Sequence, residues 1–175
     1  QIVLKSRTIK KYTEEETKKG FIEPLFSYLG WDITNRSEVS AEEVQSSGRV
    51  DYGFYLNGRA KFFLEAKKFS ADLYTADFAK QAIRYSWNRD VTWAVLSDFE
   101  NIKVFNSQNT GESLATKQFF DIPCQQFVEK FDLLWLLSKE AFEKDLLDKK
   151  AEEIGKKLQR VPIGEKLYRD LNDCR

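Results

Sequence analysis

The chain contains no histidine and no methionine, and only two cysteines, three prolines and eight glycines among 175 residues. Without histidine there is no Ser-His-Asp or Cys-His nucleophile system, no imidazole general base and no His-ligated zinc. Carboxylates and lysines are left to carry any catalysis. Cys124 and Cys174 are too few for a four-thiolate zinc site or a disulfide framework, and both are expected to be free thiols in a reducing compartment. The longest apolar run is far short of the roughly 20 residues that cross a bilayer, and no charged-then-apolar signal segment opens the chain. A cytoplasmic location without membrane association is expected. The start at Gln1, in a chain without methionine, reads as a fragment of something longer.

Hydrophobic residues at 42% and aromatics at 14%, with so little Gly and Pro, point to a folded globular domain and away from disorder. Lysine plus arginine equals aspartate plus glutamate, 28 against 28, so the whole chain lacks the basic excess that would announce a polyanionic partner. The neutrality is uneven: residues 57–90 carry seven basic and four acidic groups, and residues 91–148 carry five basic and ten acidic. A basic middle that could meet phosphates is therefore hidden in a neutral total.

Thr13 can cap a helix whose first turn holds Glu14, Glu15 and Glu16, with Phe21, Leu25, Tyr28 and Leu29 at helical spacing, Pro24 as an interruption and Gly30 as the natural end. Residues 31–47 are polar and read as a loop. Val50–Leu56, the turn signal Asn57-Gly58 and Ala60–Lys67 form the best hairpin in the sequence. Helical periodicity follows over 73–87, two strands over 91–96 and 101–105, a long helix over 127–147, and a charged amphipathic helix over 154–171 broken near Pro162. This order predicts an α/β fold with a mixed central sheet flanked by helices.

The chemistry concentrates in Gly48-Arg49-Val50-Asp51-Tyr52 and Phe62-Phe63-Leu64-Glu65-Ala66-Lys67. Residues two apart on a strand share a face, so Glu65 and Lys67 project together while Leu64 and Ala66 face the opposite layer. With Asp51 from the neighbouring strand, two carboxylates can hold a divalent ion beside a lysine. The same acid-x-lysine spacing occurs at Glu16-Thr17-Lys18 and Asp148-Lys149-Lys150, but on helices. An ordinary strand edge with alternating charge is the bland alternative for Glu65 and Lys67.

Those residues resemble the PD-(D/E)XK nuclease superfamily. Thr17-Lys18 with Phe21-Ile22-Glu23-Pro24-Leu25-Phe26 and Leu29-Gly30-Trp31-Asp32 is similar to the opening helix of type I restriction subunits and type IIG enzymes. Gln81 and Tyr85 match a Gln and Tyr four apart after the catalytic strands of that branch, a spacing that puts both on one helix face. Val95-Leu96-Ser97-Asp98-Phe99-Glu100 and 134–141 look more like type IIG enzymes. The resemblance implies a restriction-endonuclease-like domain over 1–148 and a helical connector over 149–175, leading to methyltransferase and target-recognition domains of the same longer chain. It implies Mg²⁺, replaceable by Mn²⁺, held by Asp51, Glu65 and the Ala66 carbonyl, with Lys67, Gln81, Tyr85 and Glu14 completing the catalytic set. Double-stranded DNA is the implied substrate, with transient dimerisation for cleavage of both strands. A type I subunit fragment and a catalytically silent DNA-binding or scaffold domain are the alternatives.

Hairpin register poses a difficulty. A tight turn at Asn57-Gly58 with unbroken pairing sets Asp51 opposite Leu64, on the wrong side of the sheet from Glu65. A shared site therefore requires a one-residue offset, through a three-residue loop that includes Arg59 or through a bulge, for which Gly53 is the expected position.

Overall fold

A computed structural model of the chain describes residues 10–45 and 48–156. Its centre is a six-stranded sheet in the order β1 to β6: β1 Val39–Gln45, β2 Gly48–Leu56, β3 Arg59–Ala66, β4 Trp93–Ser97, β5 Asn101–Asn106 and β6 Gln118–Pro123. Neighbours are antiparallel except β3 and β4, which run parallel. That pair needs a crossover connection, supplied by helix α2, Ala76–Asn88, lying on one face of the sheet. The mixed α/β architecture is the one predicted.

The first helix, α1, starts where the sequence places it. Thr13 and Glu16 form a reciprocal capping box, the Glu16 amide donating to Thr13 Oγ1 and the Thr13 amide to the Glu16 carboxylate. An α-helical turn, Glu14–Thr17, passes into a π-helical turn, Lys18–Ile22, and then into Glu23–Tyr28. The wide turn lies directly before Pro24, which has no amide to donate and crowds a normal preceding turn. Pro24 therefore widens the helix without ending it.

Strand alternation divides the core. Phe62, Leu64, Ala66, Trp93 and Val95 face the larger cluster, where α1 contributes Ile22 and Phe26 and the chain beyond it Trp31. Leu134, Leu137, Phe142, Leu147 and Ala151 close it from the C-terminal side. On the other face, Ala94, Leu96 and Phe105 pack with Ala79, Ala82 and Ile83 of α2, and Phe63 packs with Val50, Tyr85 and Val91. The central strands are thus buried on both faces, and that is why their sequences are so continuously apolar.

Three expectations need correction. The expected loop at 31–47 contains β1, an edge strand whose polar sequence reflects the single partner it has, β2. β6 was not anticipated either, and it forms the opposite edge. The long helix expected over 127–147 is broken into short pieces: a 3₁₀ turn at Cys124–Gln126, then helices Phe131–Trp135, Lys139–Glu143 and Leu146–Glu153. Ser138 starts the second of these by accepting from the Ala141 amide, and Asp145, at φ 53°, separates it from the third. The boundary expected after Asp148 falls inside that last helix, whose Ala151 is fully buried in the main core. The rest of the expected connector, nearly all of the 154–171 helix, and Cys174 lie outside the described residues; Cys124 is a free thiol.

The hairpin register contains the required offset. Leu56 pairs with Arg59 and Tyr55 with Ala60 across a two-residue turn, but Phe54 pairs with Phe62, Gly53 with Phe63 and Tyr52 with Leu64. Lys61 is the extra residue, so the bulge is on β3 and not at Gly53, which sits in regular pairs with Ser40 and Phe63. Continued by one residue, this register sets Asp51 opposite Glu65. Since the bulge depends on chain length and not on side-chain chemistry, Lys61→Ala should change stability by less than about 1 kcal/mol: it removes only a long contact, 3.9 Å, to the exposed Asp145. Deletion of Lys61 should cost more than about 3 kcal/mol, because β3 cannot then keep its register with both β2 and β4. Urea melts of the two variants against the parent check this.

Candidate active site

Asp51 and Glu65 are buried, at 7% and 4% exposure, and with Glu14, Arg49, Val50 and Gln81 they line an open cleft of about 260 Å³. Asp51 is held at both oxygens. Oδ2 accepts from the Ala66 amide at 2.7 Å, tying the start of β2 to the end of β3, and Oδ1 accepts from Lys18 Nζ at 2.5 Å. Glu65 Oε1 accepts from Lys67 Nζ at 2.6 Å and from Gln81 Nε2 at 2.7 Å. Lys67 leaves the end of β3 with its amide on the Ser97 carbonyl, and its ammonium lies 5.0 Å from the centre of the Phe78 ring.

Five of the residues singled out in the sequence therefore meet: Asp51, Glu65, Lys67, Gln81 and the Ala66 backbone. Glu14 joins from α1, lining the cleft and contacting Lys18 Nζ at 3.3 Å. Tyr85 lies one helical turn beyond Gln81 but is 2% exposed, edge-on against Phe63 in the small cluster that includes Val50. It supports the floor of the cleft and is not among the residues that line it.

Lys18 is the residue that sequence reading passed over. It shares the acid-x-lysine spacing that was set aside as helical, and the Glu14 to Lys18 interval is an ordinary i to i+4 helix pair. Nothing in that spacing signals burial, yet Lys18 is only 6% exposed, on the π-helical turn, and reaches 33 residues along the chain to Asp51.

The electrostatics follow from burying the Asp51 and Glu65 carboxylates, with Glu14 at the rim, beside two lysines. Burial pushes the Glu65 carboxyl above its ordinary range, the Lys67 ammonium pulls against that, and the Asp51 and Glu14 charges add to the rise. Burial works against the Lys18 charge, but Asp51 and then Glu14 outweigh it and hold the ammonium above its ordinary value. Beyond the cleft, burial raises the carboxyl of Asp98 to about 6, although the Asn101 amide hydrogen bond opposes the shift.

As carboxylate donors the cleft offers Asp51 and Glu65, with Glu14 at its rim; the Ala66 carbonyl that the resemblance adds lies in the chain between Glu65 and Lys67 and is not among the groups lining the cleft. Among the described residues no group of three or more His, Cys, Asp or Glu gathers as a side-chain metal cage. Two carboxylates and a carbonyl fit a small hard cation that keeps several of its waters, as Mg²⁺ does, better than a fully protein-ligated ion.

The chain is 31% identical, over 183 aligned residues, to the type II restriction enzyme and methyltransferase RM.Eco57I of Escherichia coli, an alignment covering 94% of this chain. The chain is homologous to part of a type II restriction enzyme. It spans 18% of the length of that relative. No protein-family model matches the chain. Among solved structures, a fragment described as an HsdR subunit of a type I restriction enzyme from Vibrio vulnificus aligns with a TM-score of 0.46 at 19% identity, over 61% of this chain and 23% of that one. No helix among the described residues is long and apolar enough to cross a membrane.

Both raised carboxyls make the same prediction for pH. A folded-state pKa above the unfolded one means that the native protein holds a proton the unfolded chain has already lost, so stability falls as pH rises through that interval. For Asp98 the interval runs from its ordinary 3.8 to about 6. Asp98→Asn keeps an acceptor for the Asn101 amide and should flatten the decline between pH 4 and 6. Its melting temperature should exceed the parent's at pH 7, with the gap narrowing towards pH 4, as followed by circular dichroism in buffers without divalent ions.

Proposed function

We propose that this chain is the Mg²⁺-dependent endonuclease domain of a restriction-modification enzyme, built on the PD-(D/E)XK pattern of the type IIG branch and hydrolysing phosphodiester bonds of double-stranded DNA. The observation that carries this reading is Asp51 facing Glu65 in one cleft, with Lys67 on the Glu65 carboxylate, in a chain homologous to a restriction enzyme. Mn²⁺ is expected to substitute for Mg²⁺. The methyltransferase and target-recognition functions would belong to other parts of the same longer polypeptide, and double-strand cleavage would draw on transient pairing of two such domains.

Asp51, Glu65 and the Ala66 carbonyl would hold the ion. When bound, Mg²⁺ supplies Lewis-acid polarisation of the scissile phosphate and stabilises the leaving oxygen. The remaining steps fall to side chains. The Ala66 amide fixes Asp51 Oδ2, so this carboxylate is oriented before any ligand arrives. Gln81 donates to the same Glu65 oxygen as Lys67, so it keeps that carboxylate turned into the cleft when the lysine moves. Lys67 is close enough to the carboxylates to orient the attacking water and to donate to the non-bridging oxygens of the phosphate as negative charge builds there. None of these roles calls for an imidazole, in keeping with a chain that has none.

The test is nicking of supercoiled plasmid by the full-length enzyme in Mg²⁺. Lys67→Ala should lower the rate by at least about 100-fold, the range for loss of one positioned proton-handling or charge-stabilising group. Asp51→Asn should lower it comparably. Gln81→Leu should have a smaller effect, since Lys67 still reaches Glu65. A Lys67→Ala enzyme that nicks at the parental rate would show that this cleft is not the cleavage site.

A further inference from the structure

Lys18 has no part in the reading above, yet it is among the most completely enclosed charges described, and burying an ammonium is unfavourable unless something specific offsets it. Two carboxylates do so: Asp51 Oδ1 at 2.5 Å and Glu14 Oε1 at 3.3 Å. Its neighbour Lys19, by contrast, makes an exposed helix pair with Glu23. The ammonium therefore stands on one of the two carboxylates to which the divalent ion is assigned, and it is not among the residues that line the cleft shared by Asp51 and Glu65.

We propose that Lys18 is the resident counter-ion of the acidic cleft, holding Asp51 and Glu14 in the metal-free protein and yielding Asp51 when a divalent ion binds. The proposal rests on the metal reading of Asp51 and Glu65. Without a cation, Glu14, Asp51 and Glu65 repel one another across a poorly solvated cleft, and the domain would have to be assembled against that repulsion. Lys18 and Lys67 remove it, each paired with one of the two facing carboxylates.

A place for the displaced ammonium exists. Lys18 and Asp51 also line a second hollow, of about 220 Å³, with the acids Glu15 and Glu42 and the bases Lys19 and Arg36; Glu42 is paired with Arg49 and Lys19 with Glu23, so Glu15 is the acid towards which the ammonium would turn. The ion pair thus forms the partition between the two hollows, since Asp51 lines both. A lysine on a flexible four-carbon stem can swing from Asp51 towards Glu15 without moving the helix that carries it. The π-helical turn at Lys18–Ile22 is what aims it at the partition and not at solvent.

A merely structural ion pair and a competing counter-ion differ in sign. If Lys18 only supports the fold, its loss weakens the domain and leaves metal affinity unchanged or lower. If it competes for Asp51, its loss strengthens metal binding. The experiment is calorimetric titration of Mn²⁺ into the 175-residue chain, Lys18→Met and Asp51→Asn, with folding monitored by circular dichroism. In parallel, Lys18 acetylation in the parent is measured by mass spectrometry with and without Mn²⁺. Lys18→Met is expected to bind Mn²⁺ about tenfold more tightly, as removal of one nearby positive charge from a partly desolvated site allows. Acetylation of Lys18 is expected to rise several-fold when Mn²⁺ is added. Equal or weaker affinity in a folded Lys18→Met protein overturns the proposal. If that variant does not fold, acetylation decides alone: a several-fold rise supports the proposal and an unchanged rate overturns it. No Mn²⁺ uptake by the parent overturns the metal reading and this proposal together. Uptake abolished by Asp51→Asn but indifferent to Lys18 overturns the counter-ion role alone.

Discussion

Side chains on a strand alternate strictly between faces, so whether Asp51 and Glu65 can act on one ligand depends on the parity of the pairing between β2 and β3. Lys61 sets that parity. With it bulged out of β3, the tight Asn57-Gly58 turn is kept, Phe54 stacks on Phe62 with ring centres 4.2 Å apart, and the two carboxylates come to one cleft. Without it, either the carboxylates separate or the apolar residues of β3 leave the core. The same residue count thus governs the packing and the chemistry, and neither can slip without the other.

Once the carboxylates face each other, the electrostatic problem is fixed as well. Two buried acids with a third nearby need compensating charge, and the protein meets this from two elements: Lys67 and the Ala66 amide at the end of β3, and Lys18 from α1. Gln81 adds a neutral donor from α2. The Lys67 contact is local to the end of β3, but the Lys18, Ala66 and Gln81 hydrogen bonds cross between elements, so the polar cluster also joins α1 and α2 to the sheet. The acids of the cleft are thus oriented in advance by donors that the fold itself supplies.

The larger core has a complementary role. Trp31 reaches across to donate to the Leu137 carbonyl at 2.9 Å, and Lys139 pairs with Glu38 at 2.8 Å, so the short C-terminal helices are locked to the segment after α1. Ala151 continues that packing past residue 148. The helical material after the cleft-bearing sheet therefore still packs on the main core at Ala151.

Composition and spacing were enough to establish an α/β fold, the Asn57-Gly58 hairpin, the helix N-cap at Thr13 and the candidate pair Glu65 and Lys67, because each rests on patterns whose physical cause lies within a few residues. The need for a register offset was also legible, since parity can be counted. Its location was not: Gly53 was favoured for its backbone freedom, whereas the bulge fell on Lys61, where β3 must satisfy β2 and β4 together. β1 was hidden because its sequence is mostly polar, and β6 because its buried residues, Phe119, Phe120 and Ile122, do not alternate cleanly along a short strand. The long C-terminal helix was over-read because helical spacing of apolar residues persists across Ser138 and Asp145, where caps and a left-handed residue divide it. Lys18 was invisible for the most general reason. Burial of a charge, and the partner that permits it, are properties of elements brought together from 33 residues apart, and only the tertiary structure decides which lysine among many comes to rest on the acid.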